Sequence, residues 1–133
     1  MLNKILLPID PTMAEHWQPA IDVAVDLARK YRAVLAVLWV APPVESDPVD
    51  FTGIHMPALE AVVAERLPGD VATELHLRAD WGDPDREICN AAAELGVDLI
   101  VMGTHRPHEG DALEESNAAN VVLNAACSVY VVR

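Results

Sequence analysis

The sequence is poor in positive charge: nine Lys and Arg stand against twenty-one Asp and Glu in 133 residues, a net charge of -12. Such a balance repels nucleic-acid phosphates and anionic lipid at long range, so DNA, RNA and membrane surfaces are not expected partners. Long apolar runs are also missing. No stretch approaches the roughly 18 apolar residues of a membrane-spanning helix, and "MLNKILLPID" meets its first acid too early for a secretory leader. A cytoplasmic location is the expectation. Cysteine is nearly absent, with Cys89 and Cys127 alone and no C-x-x-C pair. Two core thiols, rather than a disulfide or a metal site, fit that usage. What the chain does have is apolar content, 52% of its residues, which suits one compact domain over residues 1–133.

The apolar residues fall in short runs separated by helical patterns. "KILLPI" (Lys4 to Ile9), "AVLAVLWV" (Ala33 to Val40), "LIVMG" (Leu99 to Gly103) and "VYVV" (Val129 to Val132) are nearly continuous, as in strands buried on both faces of a parallel sheet. "TELHLRAD" alternates Leu75, Leu77 and Ala79 with polar residues, which predicts a strand with a wetter face, nearer an edge. Ile21, Ala24, Leu27, Ala28 and Tyr31 repeat at helical spacing, as do Leu59, Val62, Val63 and Leu67. In "GDPDREICNAAAELG", Asp83 can cap a third helix with Pro84 at its first position and Gly96 at its end. "AANVVLNAA" supplies a fourth.

Two boundaries are less direct. Thr12 and Glu15 form a capping-box pattern, but Pro19 would then lie inside the first helix, which predicts a kink or a late start near Trp17. "APPVESDPVDFTGIH" has three prolines and no periodicity, and reads as a long surface loop that ends where Pro57 opens the second helix. The alternation of strand and helix with right-handed crossovers gives an α/β fold, a doubly wound five-stranded parallel sheet with helices on both faces. Ligands of such sheets sit beyond the carboxyl ends of the strands. The candidate site is therefore built from "PID", "VAPP" and the loop "GTHRPHEGDALEESN", Gly103 to Asn117. A glycine-bearing loop before a helix suits phosphate, yet this one carries Glu109, Asp111, Glu114 and Glu115.

"KILLPID", "WGDPDREICNAAAELGVDLIVMGTH" and "AANVVLNAACSVYVVR" together resemble the universal stress proteins, over essentially the whole chain. That resemblance implies strand order 3-2-1-4-5, a cytoplasmic regulatory role in stress response, and often a homodimer joined through the last strand. It implies ATP or AMP as the ligand of its nucleotide-binding members. Those that bind ATP carry a glycine, a second glycine after two residues, then after nine more a third glycine and a Ser or Thr. Here Gly103 keeps the first position, while Arg106, Ser116 and Asn117 occupy the other three. By the same resemblance Asp10 matches the adenosine-side aspartate, Val40 and Met102 the apolar positions beside the base, and His105 a residue near the phosphates.

These residues also have plainer roles. Asp10 serves equally as a cap of the first loop or as a ligand contact, and Ser116 or Asn117 can cap the last helix. His105 and His108, separated by Pro107, fit a solvated loop better than a metal site. A receiver domain shares the size, the acidity and an aspartate after the first strand. It also needs a lysine beyond the last strand to neutralise the phosphoryl group, and the only lysines are Lys4 and Lys30. No nucleophile and base pair, Walker loop or dinucleotide fingerprint can be assembled, so the residues do not point to an enzyme. The expectation is a regulatory domain with a vestigial or weak adenine-nucleotide site, without a tightly held cofactor or metal. Its short apolar strand Val129, Tyr130, Val131 and Val132 is expected to pair with a second copy.

Overall fold

The structure, a computed structural model, describes residues 2–45, 48–104 and 117–133. Five parallel strands, β1 (Lys4–Pro8), β2 (Val34–Ala41), β3 (Thr73–Ala79), β4 (Leu99–Gly103) and β5 (Ser128–Val132), form one sheet in the order β3-β2-β1-β4-β5. Alternation of side chains splits the core in two. Ile5, Leu7, Leu35, Val37, Trp39, Leu99 and Val101 face α1 (Ala14–Tyr31) and α2 (Pro48–Arg66). Leu6, Ala36, Leu38, Ile100 and Met102 face α3 (Pro84–Leu95) and α4 (Asn117–Asn124). Among the described residues, no helix is long and apolar enough to cross a membrane.

The wetter face expected of the edge strand is the one that carries Glu74, His76 and Arg78. Glu74 bonds Lys4 Nζ and His76 Nε2, both at 3.1 Å, while Arg78 reaches across to α3 at Glu87 (2.6 Å) and Glu94 (2.7 Å). α3 follows its expected signals. Asp83 Oδ1 accepts from the Arg86 N–H at 3.1 Å, Pro84 stands in the first turn, and Gly96 closes the helix at φ 64°.

Two expectations about helix starts are corrected. α1 begins at Ala14, not near Trp17, and Thr12 is not its cap: a 3₁₀ turn, Pro11–Met13, precedes the helix and is capped by Asp10. Pro19 lies inside α1 and forgoes one hydrogen bond to the Glu15 carbonyl, a loss offset by the burial of Ala20, Ile21, Ala24, Val25 and Ala28 against the sheet. The second correction is larger. Residues 48–56 are not a loop but the first half of α2, with Pro57 in its interior. Pro48 occupies a helix start, where a missing N–H costs nothing. The segment is held by tertiary contacts: the His55 ring meets Trp39 and Phe51 edge-on, each at 4.8 Å between centroids, and its Nε2 lies 2.8 Å from the Pro42 carbonyl oxygen.

At the amino end of the sheet, Asp98 Oδ2 accepts from the backbone N–H groups of Asn3 (2.7 Å) and Lys4 (3.0 Å), joining the entry of β4 to that of β1. Those two bonds, in that order, hold the Asp98 carboxyl below the ordinary aspartate range. A group whose pKa is lower folded than unfolded stabilises the fold above its unfolded pKa, about 3.9 for aspartate, and loses that contribution as pH falls through the folded value. Thermal unfolding of Asp98→Asn should therefore fall less steeply than that of the unaltered protein as pH is lowered from about 5 to about 3. Parallel curves would contradict this role.

Candidate functional site

β1 connects outward to β2 on one side, and the chain later returns to place β4 on the other. The winding reverses between β1 and β4, and the crevice of such a sheet opens at the carboxyl end of this pair. The register fixes what stands there. Leu6 pairs with Ile100 in β4, and Pro8 with Leu38 in β2, so Met102 and Val40 flank the exit of β1. Met102 is buried and Val40 partly so, and both pack in the cluster beneath α3 and α4. The two apolar positions thus share one face of the sheet.

Asp10 follows Ile9 at this exit. Its Oδ1 accepts from the Thr12 backbone N–H at 2.9 Å and from the Thr12 hydroxyl at 2.6 Å. Capping is therefore a role this carboxylate fills. Both bonds fall on one oxygen, and among the described residues Oδ2 has no partner. Gly103 ends β4 with an ordinary backbone: a Cβ added there would stand 3.9 Å from the Trp17 ring and 4.0 Å from the Val132 carbonyl oxygen, both normal contacts. Neither positive φ nor crowding by the described residues requires glycine at this point. Beyond it, the Thr104 N–H donates to the Val132 carbonyl at 2.9 Å, carrying the β4–β5 pairing to the sheet's edge.

His105, Arg106 and Ser116 lie outside the described residues, as do His108 and the four loop acids, and of Asn117 only the backbone position at the start of α4 is described. Two neighbours of the site escaped the sequence reading. Trp17, on the first turn of α1, stands beside Gly103. His55 fastens α2 to the loop after β2 at Pro42. The spacing of Phe51 and His55, four apart, is the signal that could have shown the helix beneath the prolines. Cys89 and Cys127 are free and partly buried against the second core cluster, and burial pushes both thiols up, so neither is held as a thiolate.

If capping is the structural duty of Asp10, Asp10→Ala should cost about 1 kcal/mol of unfolding free energy, whereas Asp10→Asn, which keeps an acceptor at that place, should cost under about half as much. Urea denaturation measures both, and equal losses would refute the cap.

The geometry agrees with what the chain is similar to. The model of the universal stress protein family matches residues 1–133. The universal stress protein YxiE of Bacillus subtilis is 30% identical over the whole of both chains. Among solved structures, a universal stress protein from Archaeoglobus fulgidus superposes with a TM-score of 0.76 at 21% identity, and one from the same organism in complex with dAMP with 0.71 at 19%, each covering all of both chains. A universal stress protein family protein from Arabidopsis thaliana with AMP bound gives 0.65 at 18% identity, over 98% of this chain and 90% of that one. The strand order, both core faces and the full-length match lead to one assignment: the chain belongs to the universal stress protein family.

Proposed function

We propose that this chain is a cytoplasmic regulatory domain of stress response whose crevice at the exits of β1, β2 and β4 takes adenosine or AMP and disfavours ATP. The observation that carries the reading is the convergence at the switch point of an aspartate with one oxygen unpartnered among the described residues and two apolar side chains on one sheet face. Oδ2 of Asp10 suits a ribose hydroxyl, and the partly exposed Val40 suits a base, with the buried Met102 continuing the apolar face on the other side of β1. Gly103 leaves the end of β4 bare, where a ligand can approach the backbone. Of the similar proteins, one is in complex with dAMP and another has AMP bound.

The case against a triphosphate comes from the sequence of the loop after β4. Arg106, Ser116 and Asn117 replace residues of the glycine pattern, and Glu109, Asp111, Glu114 and Glu115 lie between. A carboxylate about 6 Å from a phosphate charge, at an effective dielectric near 20, opposes binding by about 3 kcal/mol. A helix N-terminus returns only about 0.3–1 kcal/mol. One inward-facing acid therefore outweighs the dipole. Calorimetry with adenosine, AMP, ADP and ATP, with and without Mg²⁺, should show affinity falling as phosphates are added. Arg106→Gly, Ser116→Gly and Asn117→Ser, combined with neutral replacements of the four acids, should restore ATP binding. Micromolar ATP binding by the unaltered chain would refute the reading.

The assembly we propose is a homodimer through β5, and the strand's open edge supports it. The Val132 carbonyl points to β4, so by strand alternation the N–H and C=O of Val131 point away from it. Val129 shares that orientation, and Tyr130, between them, has an exposed side chain. Light scattering should give twice 14.4 kDa at micromolar concentration. Val131→Pro removes an outward N–H without touching the β4 ladder, so it should yield a folded monomer. A monomeric unaltered protein would rule the dimer out.

A further inference from the structure

α3 and α4 lie side by side on the second face of the sheet, and their facing turns enclose a cleft of ≈ 480 Å³. Asp85 and Cys89, one turn apart on α3, line one wall, and Asn120 and Asn124, one turn apart on α4, line the other. Asp83 and Asn90 complete it, with the exposed Arg86 also on the lining. None of these residues belongs to the nucleotide set. Asn120 Nδ2 donates to Asp85 Oδ2 at 2.9 Å, and Asn124 Nδ2 donates to the Asn120 carbonyl at 2.8 Å. The amides of both asparagines are thereby oriented, and α3 is tied to α4.

The other carboxylate oxygen is the anomaly. Asp85 Oδ1 is buried and meets no hydrogen-bond donor among the described residues. A buried carboxylate oxygen without a donor is costly, and native proteins seldom leave one so. Arg86 does not serve it, being the next residue on the same helix and turned about 100° away; its backbone N–H goes to Asp83 Oδ1 at 3.1 Å. Burial pushes the Asp85 carboxyl up, the Asn120 bond opposes this, and Asp83 and Asp80 add to the rise. Among the described residues, no positive charge meets this oxygen. The fitting group is a donor of N–H bonds rather than a metal ion, because calcium and magnesium ask for six or more oxygens around them, and among the described residues no three His, Cys, Asp or Glu side chains come together to hold one.

We propose that the α3–α4 cleft binds a guanidinium or primary ammonium group, whose N–H meets Asp85 Oδ1 as the carboxyl turns toward the cleft from its bond to Asn120, and whose carbon stem lies along Cys89. That group can come from a free small amine or from an Arg or Lys side chain of a partner protein, and the chemistry of recognition is the same.

Titration of the ¹⁵N-labelled protein separates these sources. The probes are agmatine, a blocked tripeptide with a central arginine, and the same tripeptide with citrulline, which keeps the shape and loses the charge. The expected result is a saturable shift of the side-chain amide signals of both Asn120 and Asn124 with a cationic probe. Asp85→Asn should weaken it about tenfold or more, the scale of a charge-assisted hydrogen bond. Asn124→Leu, which fills the mouth and leaves Asp85 intact, should block it in a protein whose backbone spectrum is otherwise preserved. Saturation by agmatine assigns the site to free amines, and saturation by the arginine peptide alone assigns it to a partner's side chain. No saturable shift with either cation overturns the proposal. So does equal binding of the citrulline peptide, or binding that neither variant changes.

Discussion

Everything in this molecule is arranged around a strand that has no wet side. β1 is hydrogen-bonded to β2 on one edge and β4 on the other, and Ile5, Leu6 and Leu7 are wholly buried between two layers of helices. Past Lys4 at its entry, which is paired with Glu74, such a strand cannot carry a charge until it leaves the sheet, because an ion placed there would be desolvated without a partner. Carboxylates accordingly stand just beyond its two ends. Asp98 gathers the backbone N–H groups that enter the strand, and Asp10 takes the Thr12 N–H and hydroxyl of the turn that leaves it. The first fixes the fold at the amino end. The second stands at the carboxyl end, where the winding of the sheet reverses and a crevice must open.

The same constraint made most of the fold legible in the sequence. A strand buried on both faces must read as a continuous apolar run, and β1, β2 and β4 do. β3, at the edge, must alternate, and it does so with Glu74, His76 and Arg78 on the side where Arg78 pairs with Glu87 and Glu94 of α3. α3 announced both of its ends because Asp83 and Pro84 at its start and Gly96 at its close each act on the turn beside them. α2 announced neither. Its prolines suggest a break when only neighbours in the chain are considered, and what overrules them is the packing of His55 against Trp39, on the neighbouring strand, and of Phe51 against His55. Local rules cannot see a contact whose partner is more than ten residues away. Pro19 is the same case, outvoted by the buried stripe of α1.

The candidate site was legible to the extent that it rests on strands. The family resemblance is what marks Val40, Met102 and Asp10, and the register of β1 with β2 and β4 places the two apolar residues on one face, on either side of the exit to Asp10. Asp10 itself could not be resolved, since capping and ligand contact call for the same residue at the same position; the hydrogen bonds to Thr12 establish the first and leave Oδ2 for the second. The α3–α4 cleft was invisible for another reason. Asp85 and Asn120 stand 35 positions apart, and nothing in either helix's pattern says which turns face each other.

Charge connects these parts. Few cations are present, and among the described residues four of the eight Lys and Arg are engaged within the fold: Lys4 with Glu74, Arg29 with Asp70, Arg66 with Gln18, and Arg78 with both Glu87 and Glu94. Exposed pairs of this kind contribute little to stability, but they do fix where positive charge is found. Lys4 and Glu74 sit toward the amino end of the sheet, and Arg78 is turned onto α3. Of the four, Arg66 alone lies by the turn that leaves β1, sharing a surface pocket with Pro11 to His16, and its Nη1 is given to Gln18. A phosphate bound at the carboxyl end depends on backbone N–H groups, a helix dipole and Arg106, set against four acids in the same loop. Each added phosphate enlarges the repulsion, while the dipole's contribution stays at about 0.3–1 kcal/mol. The base and ribose ask for no positive charge at all. On the reading proposed here, a shortage of cations across the chain therefore acts on the ligand one phosphate at a time: it leaves adenosine recognition to the strand ends, tolerates a monophosphate of roughly two charges, and turns against anything longer.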